Sequence, residues 1–159
     1  MKLPARLVGQ IVMLACLASP SFAGPQFVDG AALSGYDAVA YQEDGKAVRG
    51  QTTIATDWNG ATWLFASPAH LASFRAEPAR YAPAYDGHCA FAASEGRKSG
   101  GIPEMWQVSG GRLYLLCSKT AFEKWTAEFD KRLAQADANW LTLAPLPAAQ
   151  PSAPPPAKP

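Results

Sequence analysis

The sequence predicts a small α+β domain, and three observations carry that expectation. Two pairs of β-favouring segments are each joined by a short turn, a Ser-Pro pair starts a helix between them, and an apolar stripe at three- and four-residue spacing closes the domain. The predicted architecture is two β-hairpins with short helices and a long amphipathic C-terminal helix around an aromatic core. The chain of 159 residues carries five Trp, seven Phe and five Tyr, each ring able to remove roughly 150–250 Å² from water.

The elements follow in chain order. Lys2 and Arg6 precede an apolar stretch from Leu7 to Leu17, and Ser21-Phe22-Ala23 offers small residues where a signal peptidase reads. Residues 1–23 thus read as a secretory signal peptide, too short to span a bilayer. Cys16, after Met13-Leu14-Ala15, gives the competing reading of a lipid anchor, which the later small residues disfavour. The mature domain is expected over residues 24–143, in a periplasm or secreted.

Residues 28–41 read as a short strand and a turn. Runs 52–56 and 61–65, separated by Asp57-Trp58-Asn59-Gly60, form the first hairpin, because Asn-Gly tolerates positive φ. Ser67 caps the next helix and Pro68 fits its first turn, where no donor is needed. His70, Leu71 and Phe74 share its inner side, and Pro78 ends it or starts a short helix to Tyr81. A slim alanine-rich helix is expected over residues 88–95, ended by Gly96. Residues 97–103 form a loop, and a second hairpin pairs 105–108 with 112–117 across Ser109-Gly110-Gly111. Ser118 caps the last helix, whose stripe is Phe122, Trp125, Phe129, Leu133, Ala136 and Trp140, with a candidate kink near Asp130. Lys124, Lys131 and Gln135 take the wet face. The proline-dense residues 144–159 read as an extended tail. No internal repeat stands out.

Charge excludes one class of partner. Removing residues 1–23 takes Lys2 and Arg6 but no acid, so the formal charge falls from +1 to −1. Nucleic-acid binders carry a basic surface, and none is expected here. No segment is apolar and long enough to be read as a membrane span.

Taken together, Gly35-Tyr36-Asp37-Ala38-Val39-Ala40-Tyr41, Trp63-Leu64-Phe65-Ala66-Ser67, and Phe74 with Pro78 and Tyr81 resemble the YHS domain. Tyr85-Asp86-Gly87-His88-Cys89-Ala90, Trp106-Gln107-Val108, Leu113-Tyr114-Leu115 and Ala136-Asp137-Ala138-Asn139-Trp140 are similar to its exported, stand-alone branch. The resemblance spans roughly residues 28–143. It implies cysteine-based metal sites in related domains, at positions comparable to Ala40, Ala66 and His70. Two of those three thiols are absent here, so a zinc cage of that kind is not expected. The cysteine of the exported branch corresponds to Cys89, and the resemblance assigns it no established mechanism.

Candidate chemistry centres on the two mature thiols. An even pair in an oxidising compartment suggests a Cys89–Cys117 disulfide, which would stabilise the fold by roughly 3–4 kcal/mol through chain entropy. Alternatively Cys89, near a helix start that favours thiolate, is a metal ligand. Soft sulfur with imidazole selects copper or zinc, and His70 and His88 are the only histidines, hence the candidate co-ligands. Helix geometry argues against adjacent His88 and Cys89 facing one ion. His70 also reads as a hydrogen-bonded core histidine, Met105 as core filling with a copper-ligand alternative, and Asp37 as a turn residue bonding its own backbone. Tyr85, Trp106 and Tyr114 read as core aromatics.

Signatures of phosphate loops, zinc-protease helices, nucleophile elbows and Cys-x-x-Cys are missing from the sequence. The expected function is therefore a transition-metal binding or carrier module, copper first, centred on Cys89, without turnover. A thiol redox protein using Cys89 and Cys117 is the first alternative, and a structural or interaction domain the second.

Overall fold

The computed structural model describes residues 27–28 and 30–146. The expected leader with Cys16, and residues 147–159 of the expected tail, lie outside them. The α+β class holds, with two sheets and six α-helices among the described residues.

Both hairpins form, each with an outer strand longer than expected. β3 (Gln51–Trp58) and β4 (Ala61–Phe65) turn through Asn59 and Gly60 at φ 50° and 75°. β5 (Ile102–Ser109) and β6 (Arg112–Leu116) turn through Gly110 and Gly111 at 57° and 73°. Left-handed φ at both central residues matches the right-handed twist of the strands, which is why Asn-Gly and Gly-Gly stand there. The segment read as one strand and a turn contains more: β1 (Phe27–Val28), β2 (Ala31–Ala32), a left-handed turn at Leu33–Gly35 and helix α1 (Ala40–Glu43). The first sheet has the order β1-β2-β4-β3, with β2 parallel to β4.

The two halves repeat one another, contrary to the sequence reading. Each begins with a left-handed turn ending in glycine, Leu33-Ser34-Gly35 at φ 52°, 52° and 80° and Tyr85-Asp86-Gly87 at 55°, 51° and 78°. A short helix follows, α1 in one half and α4 (Ala90–Ser94) in the other. The chain then returns beside the turn: Asp37 N donates to Val48 O, and Cys89 N to Ser99 O, both at 2.8 Å. The hairpins share a register. Gln51 faces Phe65 and Ala55 faces Leu64; Ile102 faces Leu116 and Trp106 faces Leu115. Each outer strand thus carries the same shift at the same place. A serine caps each following nine-residue helix, Ser67 for α2 (Pro68–Ala76) and Ser118 for α5 (Lys119–Ala127), accepting from the backbone three residues on.

The repeat explains where the C-terminal helix breaks. Instead of one long helix, α5 ends at Ala127 and α6 (Phe129–Leu143) begins after Glu128, close to the kink expected near Asp130. Glu128 (φ −129°, ψ 40°) is the counterpart of Glu77 (φ −140°, ψ 62°), after which Pro78 opens α3 (Pro78–Tyr81). The break persists at Phe129 without a proline, so it belongs to the fold. Phe129 packs edge-on to Trp125, 5.4 Å between centroids. Lys98, largely buried, closes the far end of α6 by donating to Ala144 O and Leu146 O at 2.8 and 2.6 Å, which supplies acceptor-rich carbonyls with a cation.

Each half has its own core, and β6 joins them. Leu113 and Leu115 pack with Trp63, Phe65 and Phe74 of the first half. Tyr114 and Leu116 pack with Trp125, Ala90 and Ala136 of the second. Alternation along a strand sends neighbouring side chains to opposite faces, and here both faces are core. Burying each leucine contributes roughly 1.5–3 kcal/mol.

Two glycines sit where the returning chain crosses the inner strand. A Cβ on Gly50 would lie 2.6 Å from Leu64 Cβ, and one on Gly101 would lie 2.5 Å from Leu115 Cβ and 2.6 Å from Gly87 O. Gly50→Ala and Gly101→Ala are each expected to lower the unfolding free energy by about 1–3 kcal/mol in urea titrations. Wild-type midpoints for either variant would show that the crossing is looser than described.

Candidate functional site

The thiol pair is built by backbone geometry. Cys89 follows the left-handed turn that ends at Gly87, and a parallel bridge sets it beside Leu115. Cys117 lies just past the end of β6. Their sulfurs are 2.6 Å apart, although the residues stand 28 positions apart in sequence. Both are free thiols in this structure, and a small side-chain shift brings them to the roughly 2.05 Å of a disulfide.

The two sulfurs differ in environment. Cys89 is fully buried and Cys117 half-buried. The Cys89 thiol donates to Cys117 Sγ, and this bond, aided by the Cys117 backbone N–H and the Arg97 charge, lowers the Cys117 pKa to about 7 against an opposing effect of burial. Donating that proton, together with burial, pushes Cys89 up. Cys117 is therefore the thiolate near neutrality, and thiolate is the reactive form. The helix-start effect expected for Cys89 is replaced by this pairing. Helix α4 begins at Ala90 and has only five residues.

His70 belongs to a different cluster. Asp37, with no exposed surface, accepts from Val39 N and Ala40 N through Oδ1 at 2.9 and 3.3 Å. Its Oδ2 accepts from Ala66 N at 2.8 Å and lies 2.7 Å from His70 Nδ1. Four partners surround one buried carboxyl group, as a buried polar group requires. His70 Nε2 lies 3.7 Å from Asp44 Oδ2. Asp37 does bond its own turn, as expected, but its second oxygen ties that turn to β4 and α2.

His88 turns elsewhere again. It is buried, pairs through Nδ1 with Tyr85 O at 3.0 Å and packs against the Trp140 ring. Burial lowers its pKa, so the neutral imidazole donates that bond. Met105 packs on the second core. Tyr85 donates to Asp137 at 2.9 Å.

The expected ligand set of Cys89, His70 and His88 does not assemble. His70 is engaged by Asp37, His88 by Tyr85 and Trp140, and Cys89 by Cys117. Among the described residues no group of three or more His, Cys, Asp or Glu side chains could hold a metal ion. The physical reason is the path of the chain. Cys89 and His88 are neighbours at the extended entry to α4, and His70 serves the first half's carboxylate. In this structure each of the three residues expected to ligate copper or zinc has another partner, while the Cys89–Cys117 juxtaposition raised as the alternative is present. Sequence reasoning missed the Asp37–His70 pair and the role of Arg97. The signal for the pair lay in aligning the halves, where Asp37 falls on Cys89 and Ala66 on Cys117.

Two measurements probe these sites. In the reduced protein, iodoacetamide should modify Cys117 with a rate that rises with pH to half its maximum at about pH 7, leaving Cys89 unmodified in peptide maps. A midpoint near 8.5, the ordinary cysteine value, contradicts the activation described. Asp37→Ala should cost about 1–3 kcal/mol for each buried donor it strands, read as a lowered denaturation midpoint. An unchanged midpoint would show that solvent or other acceptors replace the carboxylate.

Comparison with family models, with curated proteins and with solved structures finds no match to this chain.

Proposed function

We propose that this protein is an exported thiol–disulfide domain, of the YHS type its motifs resemble, in which Cys89 and Cys117 alternate between dithiol and disulfide. The observation that carries the reading is the 2.6 Å approach of two sulfurs brought together by the parallel bridge at Leu115. The asymmetry of the pair supports exchange over a purely structural bridge. One sulfur is half-buried and ionised near neutral pH, and the other is enclosed. Exchange proceeds by thiolate attack on a disulfide sulfur, so a reactive outer thiol with a near partner is the required arrangement. The leader-like residues 1–23 support delivery to an oxidising compartment, where such a pair has a use.

The test is an equilibration of the full chain, expressed for export, in glutathione buffers of graded potential. Thiols are trapped by alkylation and mapped to residues. Cys89 and Cys117 should lose and regain reactivity together, and Cys117→Ser should leave Cys89 without an intramolecular partner. Thiols that stay free under the most oxidising buffer sink the redox reading. Near-stoichiometric copper or zinc in the purified protein, lost in Cys89→Ser, would return the metal reading in its place.

A further inference from the structure

We propose that Cys89 occupies a donor-lined cradle that the fold builds twice, and that it is the leaving sulfur of the pair while Cys117 is the sulfur attacked. The reaction rests on the redox reading above; the cradle rests on the repeat.

In the first half the cradle holds a carboxylate. Val39 N, Ala40 N, Ala66 N and His70 Nδ1 converge on Asp37. In the second half two of the equivalent backbone N–H groups face a sulfur. Cys89 stands where Asp37 stands, after the equivalent turn and with the equivalent bond to the returning chain. The N–H groups of Ala92 and Cys117, counterparts of Ala40 and Ala66, are directed at Cys89 Sγ. Ala121 takes the place of His70, so two of the four donors recur at Cys89 and no imidazole stands there. N–H groups that bond a buried carboxylate can also bond a thiolate, and hydrogen bonds to the charged form favour it, opposing the burial that pushes Cys89 up.

The electron bookkeeping assigns the roles. A thiolate of a substrate thiol attacks Cys117 Sγ, the half-buried sulfur of the disulfide. A bond forms between the substrate sulfur and Cys117, the Cys89–Cys117 bond breaks, and its electron pair leaves on Cys89 into the cradle. A second substrate thiolate then attacks the substrate sulfur of this mixed disulfide, and Cys117 leaves as thiolate. The two substrate thiols are oxidised to their disulfide, and the protein pair is reduced. A leaving thiolate that is stabilised departs faster.

Two arms test this. In the first, the oxidised full chain is treated with a limiting monothiol, glutathione, quenched with acid and mapped. The mixed disulfide should sit on Cys117, with Cys89 free. An adduct on Cys89 overturns the assignment of roles, whereas a disulfide absent from the starting protein refutes the redox reading instead. In the second arm, Cys89→Asp in a Cys117→Ala background recreates the Asp37–Ala66 pair in the second half. The variant should melt cooperatively within a few degrees of Cys117→Ala alone. Loss of the folded state in the aspartate variant only overturns the cradle. Should Cys117→Ala itself not fold, Asp37→Cys with Ala66→Cys carries the same question to the first half, where a second disulfide is expected under oxidising conditions. Failure of those two cysteines to cross-link in a folded protein also overturns it.

Discussion

The structure depends on β6 having core on both faces. A two-stranded hairpin with one wet face is marginal in water, and the second sheet of this protein has only two strands. By presenting Leu113 and Leu115 to one cluster and Tyr114 and Leu116 to the other, this strand closes two small cores at once. Contacts between the halves reinforce the junction. Tyr41 donates to Pro103 O at 3.0 Å and packs edge-on to Trp106, and Tyr36 bonds Glu104. The halves are therefore copies in backbone yet one cooperative body in packing, because the first core is incomplete until the second hairpin is in place.

The same backbone supports different chemistry in its two copies. The left-handed turn, the returning chain and the exit from the inner strand fix one buried position per half. What stands there decides its character: a carboxylate tied to an imidazole in one, a thiol tied to a thiol in the other. Both solutions obey the rule that buried polar groups must be matched. They differ in whether the match can be opened and remade. Asp37 is held by four hydrogen bonds that lock a turn to a sheet and a helix. Cys89 is held by backbone N–H groups and by a neighbouring sulfur whose bond to it can be covalent.

Much of the fold was legible because its punctuation is local. Asn59-Gly60, Gly110-Gly111, Ser67 before Pro68, and Ser118 each state a turn or a cap within a few residues. The repeat was not legible because what the halves share is mostly glycine, alanine and serine, while the large residues differ: Trp63 against Tyr114, Phe74 against Trp125, Tyr41 against Ala93. The left-handed turns were hidden for a related reason. Leucine at φ 52° and tyrosine at φ 55° are unusual for side chains with a Cβ, and only the closing glycines hint at them. Of the site, the thiol pair was visible as an even count of cysteines after the expected leader, but its geometry depends on a parallel bridge that no local pattern announces. The metal grouping turns on direction, which residue types do not give. Residue types suited to copper were present, and the chain turned each toward a different neighbour.

The matched register shifts in β3 and β5 bear on how chains meet one another. Thr52, Thr53 and Ile54 fall between the paired positions Gln51 and Ala55, and Pro103, Glu104 and Met105 fall between Ile102 and Trp106. A straight outer strand with a continuous row of free backbone groups is a template for another chain, and irregular ladders blunt it. Both outer strands of this protein are interrupted at the same step, one of them with a proline that has no N–H to offer. The same interruption is thus present in each copy, and neither outer strand offers another chain an unbroken ladder to extend.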